Sequence, residues 1–277
     1  MKGLIELSPV YRGPIKFNGN INKMALLEVK NVTRSFGGLI AIRNLSFEVF
    51  EGEIVGLIGP NGAGKSTLFN IITGFYAPNK GKIFYKGQQI TGLRIDQIAK
   101  RGVGRIFQEP TLFMQETVFE NVFSGFHRHY DQPYWKAFLH TPAANSEESH
   151  KMQKALEILE FMDLLQLKDE VAVNLPHGHQ RALAIAIALA TGPELLLLDE
   201  PVTGMNPSET RVMVEKIQQI RNEGITVLIV EHDMKAVMSL CDRIVVLSLG
   251  VKIAEGVPDS IREDTQVIEA YLGKQGI

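Results

Sequence analysis

Residues 59–67 read Gly-Pro-Asn-Gly-Ala-Gly-Lys-Ser-Thr and narrow the possible folds more than any other stretch of the chain. Gly59, Gly64, Lys65 and Ser66 have the spacing of a phosphate-binding loop. Glycines let the backbone curl until successive N–H groups converge on phosphate oxygens, and Pro60, Asn61, Gly62, Ala63 and Thr67 complete the cradle. Lys65 brings a point charge to the outer phosphates, and Ser66 offers a hydroxyl to Mg²⁺. Residues 53–58 form an apolar strand candidate before the loop. Residues 66–74 read as a helix after it, whose N-terminal dipole faces the phosphates.

The 277 residues suffice for one large domain or two small ones. A net charge of -2 exerts no strong pull toward nucleic acid. The single Cys241 rules out an internal disulfide and reads as a small core filler. The longest apolar run, residues 182–190, falls far short of the roughly 20 residues of a membrane span and ends at Thr191-Gly192-Pro193. Ser8-Pro9 and Arg12-Gly13-Pro14 interrupt any signal-peptide pattern. The expectation is a cytoplasmic protein that reaches a membrane only through a partner. Residues 1–23 read as a flexible extension, with the folded domain running over 24–277.

Strands are expected after Met24 and over 46–50, 53–58 and 82–85, with a turn at Pro78-Asn79-Lys80-Gly81. Residues 126–150 read as a surface insertion. Met152, Leu156, Leu159 and Met162 recur at helical spacing and predict a core-packing stripe. A buried helix follows over 178–189. Residues 194–198 form a continuous apolar strand of the kind covered on both faces. A helix over 206–222 is opened by Asn206-Pro207, and another buried strand covers 225–230. Alternating strands and helices predict an α/β fold.

Four features lie where a phosphate loop needs help. The apolar run ending in Asp199-Glu200 delivers two carboxylates at a strand's C-terminal end. Asp199 suits Mg²⁺, and Glu200 suits a general base that polarises water. The amide of Gln108 can bridge Mg²⁺ and the attacking water. His232, after the next strand, can donate to a γ-phosphate. Phe36 can stack on adenine or pack in the core, and the residues alone leave both open.

With these motifs in this order, the chain resembles the nucleotide-binding subunits of ABC transporters from about residue 24 to its end. The resemblance implies a P-loop NTPase core with an antiparallel β subdomain and a helical subdomain at roughly 110–190. It implies ATP and Mg²⁺ as cofactors, with the metal on Ser66, Gln108 and Asp199. Glu200, His232, Gln108 and Lys65 would act on the phosphates, Phe36 would take adenine, and Gly204-Met205-Asn206 would lie at a dimer contact. Arg34-Ser-Phe-Gly-Gly-Leu-Ile-Ala, Gly204-Met-Asn-Pro, Glu231-His-Asp-Met and the tail Val267-Ile-Glu-Ala-Tyr-Leu-Gly resemble the branched-chain amino-acid importer subfamily. Close relatives move urea, other hydrophobic amino acids or short amides, and a lipopolysaccharide-export ATPase is similar. A soluble, non-transport ABC ATPase is the rival of another class; it usually carries coiled-coil insertions or two such domains, which this chain lacks.

One motif departs from the family. The signature that is usually Leu-Ser-Gly-Gly-Gln reads Leu175-Pro176-His177-Gly178-His179. Pro176 has neither hydroxyl nor N–H to offer a phosphate, while Gly178 is retained. The resemblance implies as partners a second ATPase subunit, in a mixed dimer or a homodimer, and transmembrane permease subunits. A substrate-binding protein would join indirectly, and nucleic acid is not expected. The chain would sit peripherally on the cytoplasmic face of the cell membrane. Leu112, Phe113, Phe119 and Phe123 form a candidate groove for a membrane-subunit helix, core packing being the other reading.

Overall fold

The computed structural model describes residues 25–109, 111–126 and 142–272. The expected N-terminal extension and most of the expected insertion lie outside these residues. The described chain divides into two compact units, Ile106–Pro193 and the remainder.

The larger unit holds two sheets. In chain order it contains β1 (Ala25–Phe36), β2 (Leu39–Phe50), β3 (Ile54–Ile58), α1 (Lys65–Ile72), β4 (Lys80–Tyr85), β5 (Gln88–Gln89), α2 (Ile95–Lys100) and β6 (Val103–Ile106), which leads into the other unit. That unit carries α3 (Val118–Ser124), α4 (Pro142–Phe161) and α5 (His177–Ala190). The chain returns through β7 (Leu195–Asp199), α6 (Pro207–Asn222), β8 (Thr226–Val230), α7 (Met234–Leu240), β9 (Arg243–Ser248), β10 (Val251–Gly256), α8 (Pro258–Glu263) and α9 (Thr265–Leu272).

Strands β2-β1-β4-β5 make an antiparallel sheet, and β10-β9-β3-β8-β7-β6 make the second sheet. In the latter, β9, β3, β8 and β7 run parallel. Every residue of β3, β7 and β8 is buried. Strands covered on both faces must be apolar throughout, which is why these three read as unbroken hydrophobic runs. Leu27, Val29 and Phe47 of the first sheet share one core with Leu57, Leu197 and Leu228 of the second. Burying each such side chain contributes about 1.5–3 kcal/mol before chain entropy is set against it. β1 and β2 extend well beyond the short expected strands. Lys80 and Gly81 lie in β4, not in the expected turn: Lys80 pairs with Thr33 of β1, and Gly81, at φ 88, passes close to the Asn31 carbonyl at the register shift. Helix α6 starts as expected: Asn206 caps Ser208 and Glu209, and Pro207 takes the first turn.

In the smaller unit, Ala155, Ile158 and Leu159 of α4 are buried, together with Met162 just past its end. This i, i+3, i+4, i+7 set corrects the expected stripe: Met152 is 43 % exposed, and Ala155 takes the inward position one turn on. Fully buried Asn121 of α3 ties down the preceding loop. Its Nδ2 donates to the carbonyls of Phe113 and Thr117, and its Oδ1 accepts from the Phe113 N–H at 2.9 Å. Phe119 and Phe123 stack with centroids 5.7 Å apart, whereas Phe113 is exposed.

Candidate functional site

Sheet register assembles the site. Leu57 of β3 pairs with Val230 of β8, and Val230 pairs with Asp199 of β7, so three neighbouring parallel strands end level. The loop 59–64 follows β3, Glu200 follows β7, and Glu231-His232 follows β8. Carboxyl ends of strands in an open α/β sheet are where such folds take ligands.

Loop 59–64 is held from both sides. A Cβ on Gly59 would collide with the Leu247 carbonyl of β9, so only glycine lets the loop leave β3 this close to its neighbour. Gly64 caps α1 at φ 103 and has no side chain of its own to offer the first N–H groups of the helix. Those donors face outward with the positive end of the helix dipole. The Gly250 N–H donates to the Ala63 carbonyl at 3.1 Å. Lys65 is 6 % exposed, and its Nζ donates to the carbonyls of Gly59 at 2.6 Å and Pro60 at 3.2 Å. Its ammonium is thus aimed back across the loop mouth, while the neighbouring Ser66 is exposed.

Asp199 is 5 % exposed, and its Oδ2 accepts from Nη2 of Arg105 at 3.2 Å. Burial pushes the Asp199 carboxyl above the usual carboxylate range, with Arg105 pulling it back. Glu200 turns the chain out of β7 at φ 54, a left-handed conformation costing a non-glycine residue on the order of 1–3 kcal/mol. The Glu200 N–H donates to the Val230 carbonyl at 2.8 Å, and Thr203 Oγ1 donates to Glu200 Oε2 at 3.3 Å. His232 Nε2 donates to Glu200 Oε1. Two side chains expected to work on one phosphate therefore touch each other.

Phe36 is 38 % exposed at the end of β1, which excludes the core-packing reading. Its ring meets Tyr76 edge-on at 5.2 Å, and the Arg34 guanidinium lies 4.5 Å from its centroid. Sequence reading missed Tyr76 and Arg105, and also Tyr271 of α9, whose hydroxyl accepts from the Gly59 N–H. None of the three carries a local signal.

Gln108 and Gly178 belong to the smaller unit. Gln108 is exposed just beyond β6. Pro176 is the N-cap of α5, without a side-chain cap bond, so Gly178 falls in the first turn between exposed His177 and His179.

Among the described residues no group of three or more His, Cys, Asp or Glu could hold a metal alone. The hydroxyl of Ser66 and the carboxylate of Asp199 are hard oxygen donors that suit Mg²⁺ shared with a ligand's phosphates, not a caged ion. The residues present fit that ion.

The family described as ABC transporter matches residues 42–203, and that described as branched-chain amino acid ATP-binding cassette transporter matches 251–276. The chain is 44 % identical over 250 residues to the high-affinity branched-chain amino acid transport ATP-binding protein LivG of Escherichia coli strain K12, covering 90 % of this chain and 98 % of that protein. The structure resembles the ADP conformation of MJ1267, an ATP-binding cassette of an ABC transporter. There the TM-score is 0.78 at 31 % identity, over 90 % of this chain and 99 % of that one. It also resembles the dimeric structure of MJ0796, a bacterial ABC transporter cassette, with TM-score 0.71 at 27 % identity over 84 % of this chain and 98 % of that one.

Proposed function

The chain belongs to the ABC transporter family, and from that premise we propose that it hydrolyses ATP to drive an importer of branched-chain amino acids. One observation carries the substrate class: 44 % identity across 98 % of LivG, with the subfamily's own C-terminal segment matched at 251–276.

The proposed roles follow from chemistry. The loop 59–67 wraps the phosphates with backbone N–H groups, and Lys65 swings from its carbonyl partners to the outer phosphates. Phe36 stacks on adenine, with Tyr76 at its edge. Ser66, Gln108 and Asp199 would hold Mg²⁺, which would supply charge neutralisation at the phosphate oxygens. Glu200 takes the proton of the attacking water, and His232 releases Glu200 to donate to the γ-phosphate. Catalysis here is mostly positioning and charge stabilisation.

The folded domain is assigned to residues 24–277, with 1–23 as an extension and a helical subdomain at roughly 110–190. The chain works as one half of an ATPase dimer, as the dimeric MJ0796 cassette suggests. Pro176 weakens the signature it offers the opposite subunit, so a mixed dimer with a second ATPase is the better fit. Gly178 and the α5 N-terminus supply what phosphate contact remains. No helix among the described residues is long and apolar enough to cross a membrane. The proposed partners are permease subunits, against which this chain sits on the cytoplasmic face, and a substrate-binding protein that delivers the cargo.

The test is reconstitution. A complex isolated from membranes through a tag on this chain is placed in liposomes with ATP inside or outside. ATP-dependent uptake of leucine, isoleucine and valine is expected. Hydrolysis without such uptake overturns the substrate class, and no hydrolysis overturns the whole reading.

A further inference from the structure

We propose that Glu231 is a positioning residue: its buried carboxylate braces the chain leaving β7 against the chain leaving β8 and so sets the separation of Glu200 and His232. The proposal rests on the roles given above to Glu200 and His232, and adds the residue that holds them in register.

Glu231 is 2 % exposed. Its Oε1 accepts from the Val202 N–H at 2.8 Å, and its Oε2 accepts from the His232 N–H at 3.0 Å. The Asp233 N–H donates to the same carboxylate. The donors come from two strand exits that are far apart in sequence. Val202 lies two residues after Glu200, and His232 and Asp233 follow Glu231 directly. The hydrogen bond from His232 Nε2 to Glu200 Oε1 then closes a ring through both exits. A second tie, from the Glu200 N–H to the Val230 carbonyl, holds the same two chain segments at 2.8 Å.

Only a carboxylate suits this place. Its oxygens are all acceptors and can face three N–H donors, whereas an amide would turn an NH₂ group against one of them. Three N–H donors also compensate the buried charge, which burial alone would neutralise. The ties matter because Glu200 is in a left-handed conformation that its surroundings must hold. A carboxylate serving packing alone would have no reason to collect its donors from the residues flanking the two site side chains.

The experiment uses the full chain in its reconstituted complex, with variants Glu231→Gln, Glu231→Ala, His232→Ala and the double variant Glu231→Ala/His232→Ala. Steady-state hydrolysis, equilibrium ATP binding and thermal melting are recorded for each. Glu231→Ala should lower kcat by about tenfold or more while KM and ATP affinity stay within about twofold, and Glu231→Gln should lose less. The double variant should be no slower than the slower single variant by more than about threefold, since both changes act through one contact. Glu231→Gln keeps the shape of the side chain and carries the test if the alanine variant does not fold. Unchanged kcat in the glutamine and alanine variants, fully multiplicative losses in the double variant, or losses in kcat and ATP affinity that track melting temperature would each overturn the proposal. A wild-type chain without hydrolysis overturns the underlying reading as well. His232→Ala slowing turnover while Glu231→Ala does not overturns this proposal alone.

Discussion

Arg105 and Asp199 form a buried ion pair, Nη2 to Oδ2 at 3.2 Å, with side chains 8 % and 7 % exposed. Through Nη1 the same guanidinium donates to Asn70 Oδ1 at 2.7 Å and to Thr73 Oγ1 at 3.1 Å. One side chain thereby ties the helix after the phosphate loop to the carboxylate proposed as a metal ligand. Arg105→Met should cost about 3–5 kcal/mol, because it strands a buried carboxylate, and Arg105→Met/Asp199→Asn should recover much of that. Urea unfolding in EDTA measures both. The pH dependence has a definite sign. Burial raises the folded-state pKa of Asp199, so its ionised form costs stability above that pKa, and the cost is relieved as pH falls through it. Without Arg105 the pKa rises further. The deficit of Arg105→Met relative to wild type should therefore be larger at neutral pH than in mild acid.

Glu200→Gln should reduce turnover by about 10²–10⁴-fold, the usual contribution of a positioned general base. ATP binding should persist, because the loop 59–64 and Lys65 keep their geometry. Equilibrium binding of a fluorescent ATP analogue beside a phosphate-release assay separates the two effects. Equal loss of binding and turnover would remove Glu200 from the role of base.

Cys241 should resist alkylation in the folded chain. Desolvation disfavours the thiolate and pushes its pKa up to about 12, so almost no nucleophile exists at neutral pH. Thiol titration should find no reactive group until denaturant unfolds the chain. The same sulfur explains Gly56 in the middle of β3, where an added Cβ would lie 2.8 Å from Cys241 Sγ. Gly56→Ala should destabilise by about 1–3 kcal/mol through overpacking, and Gly56→Ala/Cys241→Ala should relieve most of it.

Pro176→Ser supplies a hydroxyl and an N–H at the N-cap of α5. If the native signature is weak, hydrolysis by the reconstituted complex should rise several-fold. No gain would show that Pro176 and His179 are tolerated.

The phosphate loop was legible because its chemistry is local. Glycine spacing, Lys65 and the strand and helix around it occupy fewer than thirty consecutive residues. Asp199 was legible for a related reason: a strand buried on both faces must be apolar, so the first carboxylates after it mark its end. The Asn206-Pro207 start of α6 is equally local. Long β1 and β2 were not legible, because register shifts interrupt their alternation: Arg43 and Asn44 fall between the paired Ile42 and Leu45, and the Asn44 N–H donates to Thr33 Oγ1 instead of to the ladder.

The sequence by itself determined the family, the nucleotide chemistry, and which carboxylates and histidine stand at strand ends. Tertiary structure alone decided which of them touch. Arg105 meets Asp199 across 94 residues, Glu231 reaches Val202 across 29, and Tyr271 of the last helix reaches the Gly59 N–H. Parallel strands can be joined only by long crossovers, so residues adjacent at their ends are distant in sequence. No residue types or spacing record those meetings; the register of β3, β8 and β7 does.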